Sequence, residues 1–236
     1  MKKKEKLTIE QKKLDADLWI IAIISIAVLG IWMVFQNQLV TIMKDNTVNI
    51  LLRVLVGAAF QFGIAGLGIV IVAIIRKENL LTYGLKKKGT ILSILLCALC
   101  FAPNIIFVLG TKQALGYLPF QSVWTTKNLL SSAFPENVVG MLITAVVWGF
   151  FEGFNYVVIS DKINKRYPSK NQWLNWGAIV CAIICILIHG AIGVTVENMI
   201  EMLTIVIIIY GMLIVKERTG NAWGCIAIFV LLWNAF

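Results

Sequence analysis

Three polar side chains stand inside long apolar stretches of this 236-residue sequence. Glu152 lies in FFEGFNYVVISD, His189 is the only histidine and lies in CAIICILIHGAIG, and Asn234 lies in IFVLLWNAF. A charged group in the middle of a membrane span costs about 2.5–3.5 kcal/mol, and such residues usually have a function. A carboxylate can take a proton from water, while an imidazole and an amide can donate hydrogen bonds to an oxyanion. Three such polar groups at a comparable depth on three predicted helices make a stronger candidate site than any one of them alone.

The residues around Glu152 extend this candidate site. Asn155 and Tyr156 follow Glu152 at i+3 and i+4, so on a helix they share its face and can support the carboxylate by hydrogen bonding. A structural interpretation stays open for each residue. Glu152 could be a protonated carboxyl held in the packing, and His189 and Asn234 could each join two helices through a hydrogen bond.

A second pattern raises the question of a metal. Cys181, Cys185 and His189 follow one another at intervals of four residues, as ligands on one helix face would. A structural zinc site needs four ligands, and a cysteine surrounded by isoleucines is unreactive. We therefore predict no metal-binding residue and no cofactor, although a metal-dependent mechanism stays open.

The elements that must position these residues are membrane helices. The sequence is 59% hydrophobic and 14% charged, against about 45–50% and 25% in soluble domains. Apolar runs approach the roughly 20 residues that a spanning helix needs. We predict an all-α fold, a polytopic helix bundle in a single domain over residues 1–236, with about seven transmembrane helices. The predicted spans are 18–35, 54–75, 90–110, 138–160, 176–196, 199–215 and 222–236.

The positive charges predict an orientation for this bundle. If successive loops alternate between the two sides, 17 of the 21 lysine and arginine residues fall on the side of the amino terminus. Basic loops mark the cytoplasmic side, so we predict an N-in and C-out topology with residues 1–17 as a basic cytoplasmic segment. The net charge of +9 then fits loops lying against anionic headgroups. The bilayer is the predicted partner, and nucleic acid is not.

The order of these residues resembles the CPBP family, the CAAX protease and bacteriocin-processing (Abi) intramembrane endopeptidases. That family carries EExxxR on one helix, FxxxH on the next and HxxxN or HxxxB on a later one. The corresponding segments here are 152–157, 185–189 and 230–234, and the resemblance covers roughly residues 80–236. It implies that Glu152 activates water while His189 and Asn234 position it and stabilise the oxyanion.

The resemblance also implies a substrate class and a location. Family members cleave prenylated carboxyl-terminal peptides or bacteriocin leaders, so a membrane-associated peptide or protein is the expected substrate. A bacterial or archaeal plasma membrane is the expected location. Four motif positions depart from the family pattern: Gly153 replaces the second glutamate, Val157 the arginine, Cys185 the aromatic residue and Val230 the histidine.

These departures keep two other functions open. A catalytically inactive relative could use the same helical cavity to bind a lipid, a peptide or a protein, as an immunity or scaffold protein does. A transporter is the third alternative, because an ionisable pair inside the membrane is also found in proton-coupled carriers. In the enzyme, Glu152 and His189 must lie within direct or one-water reach of each other.

Overall fold

A computed structural model describes residues 6–114, 116–171, 173–189 and 194–236. These described residues form helices and no strand, which confirms the all-α class. The α-helices are α1 (Ile9–Lys44), α2 (Ile50–Ala65), α3 (Leu67–Arg76), α4 (Thr90–Gly110), α5 (Thr126–Leu130), α6 (Glu136–Thr144), α7 (Glu152–Arg166), α8 (Trp176–His189), α9 (Val196–Thr219) and α10 (Trp223–Ile228). A 3₁₀ turn covers Leu80–Tyr83, and π-helical segments cover Ala145–Phe151 and Phe229–Trp233.

Four continuous helices have the length and composition of membrane spans. They are α1, α4, the run Glu136–Arg166 and α9. The pair α2 and α3 adds a fifth if it is one span, bent by 54°. Two further apolar helices, Trp176–Ile188 and Trp223–Trp233, are shorter. The described helices therefore make an apolar bundle with four or five spans of full length, where the sequence predicts seven.

The first helix is much longer than its predicted span. Thr8 precedes it and forms a capping box. The Thr8 hydroxyl accepts a hydrogen bond from the backbone N–H of Gln11, and the Gln11 side-chain oxygen accepts one from the backbone N–H of Thr8. Its 36 residues rise about 54 Å, well beyond the ~30 Å of hydrocarbon. The helix thus includes half of the predicted basic amino-terminal segment.

Two π-helical segments interrupt the bundle next to candidate residues. Ala145–Phe151 joins α6 to α7 and ends directly before Glu152. Phe229–Trp233 extends α10 and ends directly before Asn234. The two segments pack against each other, and π-bulges within helices are frequent at functional sites. Hydrophobic periodicity gives no signal for either of them.

A buried ion network holds one end of the bundle. Arg76 donates to Asp17 at 2.7 Å, and Lys162 lies 3.0 Å from Asp17 and 2.8 Å from Glu78. The Tyr83 hydroxyl donates to Glu78 at 2.7 Å. Burial, followed by that hydrogen bond, raises the pKa of Tyr83, so the phenol stays a donor at neutral pH. The network joins the first turns of α1 to the ends of α3 and α7.

Other polar contacts join the ends of helices and the loops beside them. Lys216 in α9 pairs with Asp161 in α7 at 3.0 Å, close in sequence to the network. The Asn221 amide donates to the carbonyls of Lys86 and Lys88, which places the loops before α4 and α10 together. These contacts bring the end of α9 close to α7 and to the loops before α4 and α10.

Candidate functional site

The Glu152 carboxyl lies in the wall of a largely apolar cavity of about 460 Å³. The cavity is bounded by α1, α2, α7 and α8, and its lining is mostly leucine, isoleucine and alanine. Glu152, Asn155 and Tyr156 line the α7 wall together, as their helical spacing predicts. Glu152 is 5% exposed, so its carboxyl is withdrawn from the surface of the bundle.

A glutamine on α2 binds this carboxyl. The Gln61 amide nitrogen donates a 2.8 Å hydrogen bond to Oε2 of Glu152, and Gln61 also lines the cavity. Gln61 is not among the predicted site residues. It is a polar residue inside the apolar run LVGAAFQFGIAG, which is the same signal that points to Asn234 and could have indicated Gln61.

The α1 and α8 walls of the cavity carry exposed side chains. Both helices pack on α7, and the lining residues Ile26, Leu187 and Ile188 are each exposed. In a membrane these side chains face lipid, because they belong to apolar helices.

His189 is the last residue of α8, and its side chain lies outside the described part of the structure. The preceding residues on that helix, Leu187 and Ile188, line the cavity. The backbone thus brings the end of α8 to the cavity.

Asn234 is bound elsewhere. Its Oδ1 accepts a 2.7 Å hydrogen bond from the Ser122 hydroxyl, and its carbonyl accepts one from the Ser122 amide at 3.2 Å. Its Nδ2 is buried and has no hydrogen-bond partner among the described residues. Asn234 is not part of the lining of the Glu152 cavity. The structure therefore brings Glu152, Asn155 and Tyr156 together and assigns Asn234 a contact with the loop before α5.

Gly149 and Gly153 lie at one helix interface. A Cβ atom at Gly153 would lie 3.0 Å from the Cys225 carbonyl oxygen and 3.1 Å from Cα of Ile226. A Cβ atom at Gly149 would lie 3.1 Å from Cα of Val230. These small residues, four apart, let α10 and its π-helical extension approach the backbone of the α7 region closely, as in other membrane helix pairs. A larger side chain at Gly153 would therefore meet the packed backbone of Cys225 and Ile226.

The cysteines of α8 are part of the core. Cys181 and Cys185 are fully buried, and the Cys181 thiol donates to the Tyr156 carbonyl at 3.6 Å. In the ranges that the structure describes, no three histidine, cysteine or carboxylate side chains come together as metal ligands. Comparisons with known protein families, with curated proteins and with solved structures returned no match for this chain.

Proposed function

We propose that this protein is an intramembrane endopeptidase that hydrolyses a peptide bond of a membrane-associated peptide. The observation that carries the proposal is the Glu152 carboxyl, buried in the wall of an apolar cavity whose α1 and α8 walls carry exposed side chains. Burying a carboxyl among apolar helices is costly, and its placement at a cavity favours chemistry over packing. The substrate class, a prenylated or leader peptide, rests on the resemblance to the CPBP family.

The proposed reaction uses Glu152 as a general base. The carboxylate takes a proton from water, the hydroxide oxygen adds to the peptide carbonyl carbon, and the same proton passes to the leaving amine nitrogen as the C–N bond breaks. Gln61 fixes the direction of the carboxyl through Oε2. Asn155 and Tyr156 line the same α7 wall one turn further along the helix.

His189 is the proposed donor to the developing oxyanion. It follows Cys185 by four residues on α8, and the lining residues Leu187 and Ile188 bring that helix to the cavity. Asn234, the other predicted donor, would have to act from its place beside Ser122. The mechanism therefore depends mainly on Glu152 and His189.

A non-catalytic binding protein is the second candidate, and one observation favours it. The α7 and α10 backbones are in close contact at Gly153, so the second motif glutamate has no space in this chain. Such a protein would use the apolar cavity to hold a lipid or peptide without cleaving it.

We further propose that the chain crosses the membrane seven times, with the amino terminus in the cytoplasm of a bacterium or archaeon. The 17 basic residues that fall on the side of the amino terminus support this topology. In it, α8 and α10 with its extension are short crossings within the bundle.

The deciding experiment measures cleavage of quenched fluorescent membrane peptides in proteoliposomes. We expect Glu152→Gln to lower turnover at least about 100-fold, which is the scale of a lost general base. Glu197→Gln is the matched control, because Glu197 is exposed in the first turn of α9. Equal turnover by wild type and Glu152→Gln would exclude the proposed mechanism. Peptide binding without turnover in the wild type would instead support the binding protein.

A further inference from the structure

A second cavity, of about 250 Å³, lies on the other side of Gln61 from the Glu152 cavity. Leu29, Gln61 and Ile64 line both cavities. The second cavity also contains Arg53, together with the tryptophans Trp32, Trp124 and Trp148. It lies towards the end of the bundle opposite to the ion network.

Arg53 is a buried cation, and part of its guanidinium has no hydrogen-bond partner among the described residues. Its residue is 3% exposed, its Nε donates to the Met43 carbonyl at 2.8 Å, and its Nη1 donates to Oδ1 of Asn46 at 3.1 Å. Its Nη2 makes no hydrogen bond to a described residue. An arginine has five N–H donors, and a buried charge is normally paired.

The described carboxylates do not supply the missing partner. Among the described residues, none forms an ion pair with Arg53. Asp45 is close enough for Arg53 to contribute to its lowered pKa, although hydrogen bonds from Thr47 are the larger cause. Asp45 is exposed and already accepts from the amide and the hydroxyl of Thr47. The guanidinium therefore lines the cavity without an ion pair to any described carboxylate.

The aromatic side chains of the second cavity indicate that a ligand there also has apolar groups. Trp32 stacks on Trp124 with ring centroids 6.2 Å apart, and Lys44 lies 5.3 Å from the Trp124 ring centroid. Tryptophans are typical of the membrane interface, where their rings contact both headgroups and apolar chains. At about 30 Å³ per water, the cavity holds roughly eight waters, enough for a headgroup and not for a whole lipid.

We propose that this cavity binds the anionic headgroup of a membrane amphiphile. An oxyanion of the headgroup accepts hydrogen bonds from Nη2 of Arg53, and the adjoining carbon atoms lie against Trp32 and Trp148. The proposed headgroup contacts do not include Glu152, so the readout is binding and requires no peptidase activity.

The test measures retention of defined lipids by the delipidated protein, using native mass spectrometry. The probes are dioleoyl phosphatidylglycerol, dioleoyl phosphatidylcholine with the same chains, and water-soluble glycerol 3-phosphate. We expect wild type to prefer phosphatidylglycerol over phosphatidylcholine about tenfold, the scale of one charge-assisted hydrogen bond. Arg53→Gln should abolish the preference, and Lys127→Gln, the same charge change at an exposed residue, should keep it.

Arg53 also joins α1 to α2 through Met43 and Asn46, so its substitution can disturb folding. Asn46→Ala removes one of these links without removing the charge, and we expect it to keep the preference. If Arg53→Gln does not fold, the proposal is tested by the wild type and Asn46→Ala, and both should retain phosphatidylglycerol in preference to phosphatidylcholine. Equal retention of both lipids, or binding of glycerol 3-phosphate as tight as that of phosphatidylglycerol, would overturn the proposal.

Discussion

The amide of Gln61 on α2 donates a 2.8 Å hydrogen bond to the carboxyl of Glu152 on α7. The two residues are 91 positions apart in the sequence, and Gln61 lines both cavities. It gives the carboxyl a fixed direction inside an apolar bundle. The contact links the helix that carries the proposed base to the helix that carries Arg53.

The strength of this contact is measurable by a double-mutant cycle. We expect Gln61→Met and Glu152→Met to be coupled by roughly 0.6–1.7 kcal/mol, the range found for hydrogen bonds between membrane helices. Unfolding in mixed micelles with increasing dodecyl sulfate gives the free energies. Additive effects of the two substitutions would show that the contact does not stabilise the fold.

The ion network predicts a large effect at Lys162. This lysine is 1% exposed and contacts both Asp17 and Glu78, so Lys162→Met leaves the buried Asp17 and the partly exposed Glu78 with fewer partners. We expect a loss of about 3–5 kcal/mol of unfolding free energy. Lys165→Met is the control, because the Lys165 side chain is 60% exposed and its pair with Asp161 should contribute less than about 1 kcal/mol. Similar losses in the two variants would contradict the importance of the network.

Alanine substitution should have opposite effects at two helical glycines, one at the α7 and α10 interface and one in open space on α1. Gly153→Ala places a methyl group 3.0 Å from the Cys225 carbonyl oxygen and should destabilise the protein by about 1–3 kcal/mol. Gly30→Ala, also in a helix, meets no atom within 4 Å and should be neutral or stabilise by up to about 1 kcal/mol. Thermal unfolding in detergent ranks the two. A stable, more active Gly153→Glu would show instead that the family motif can be restored here.

Asn234 offers a test between a structural and a catalytic role. Because its side chain accepts from Ser122, we expect Asn234→Ala and Ser122→Ala to lose similar stability, about 1 kcal/mol each. We expect neither to abolish cleavage in the proteoliposome assay. Loss of turnover in Asn234→Ala alone, with Ser122→Ala active, would instead support the oxyanion role that the sequence predicts.

The topology can be tested with single introduced thiols. The native cysteines are buried or partly buried, which keeps background labelling low. In intact cells, a membrane-impermeant maleimide should label Lys127→Cys and should reach Lys87→Cys only after permeabilisation. Both positions are exposed. Labelling of Lys87→Cys in intact cells would contradict the N-in orientation.

The sequence by itself determined the class of the protein and its candidate carboxylate. Composition and run length are sufficient for membrane helices, because hydrocarbon leaves backbone polar groups no partner outside the helix. The span 90–110 coincides with α4 for this reason. A lone glutamate in an apolar run is equally visible, and its neighbours Asn155 and Tyr156 follow from helical spacing alone.

The tertiary structure decided which polar residues meet. Asn234 and Glu152 both interrupt apolar runs, but one contacts Ser122 and the other contacts Gln61. Those pairings depend on the rotation of each helix about its axis and on the approach of α10 to Gly153, which arise from packing between distant segments. Periodicity along one helix carries no information about its neighbour, so the partners of Glu152 and the contacts of Arg53 emerged only when the helices were assembled.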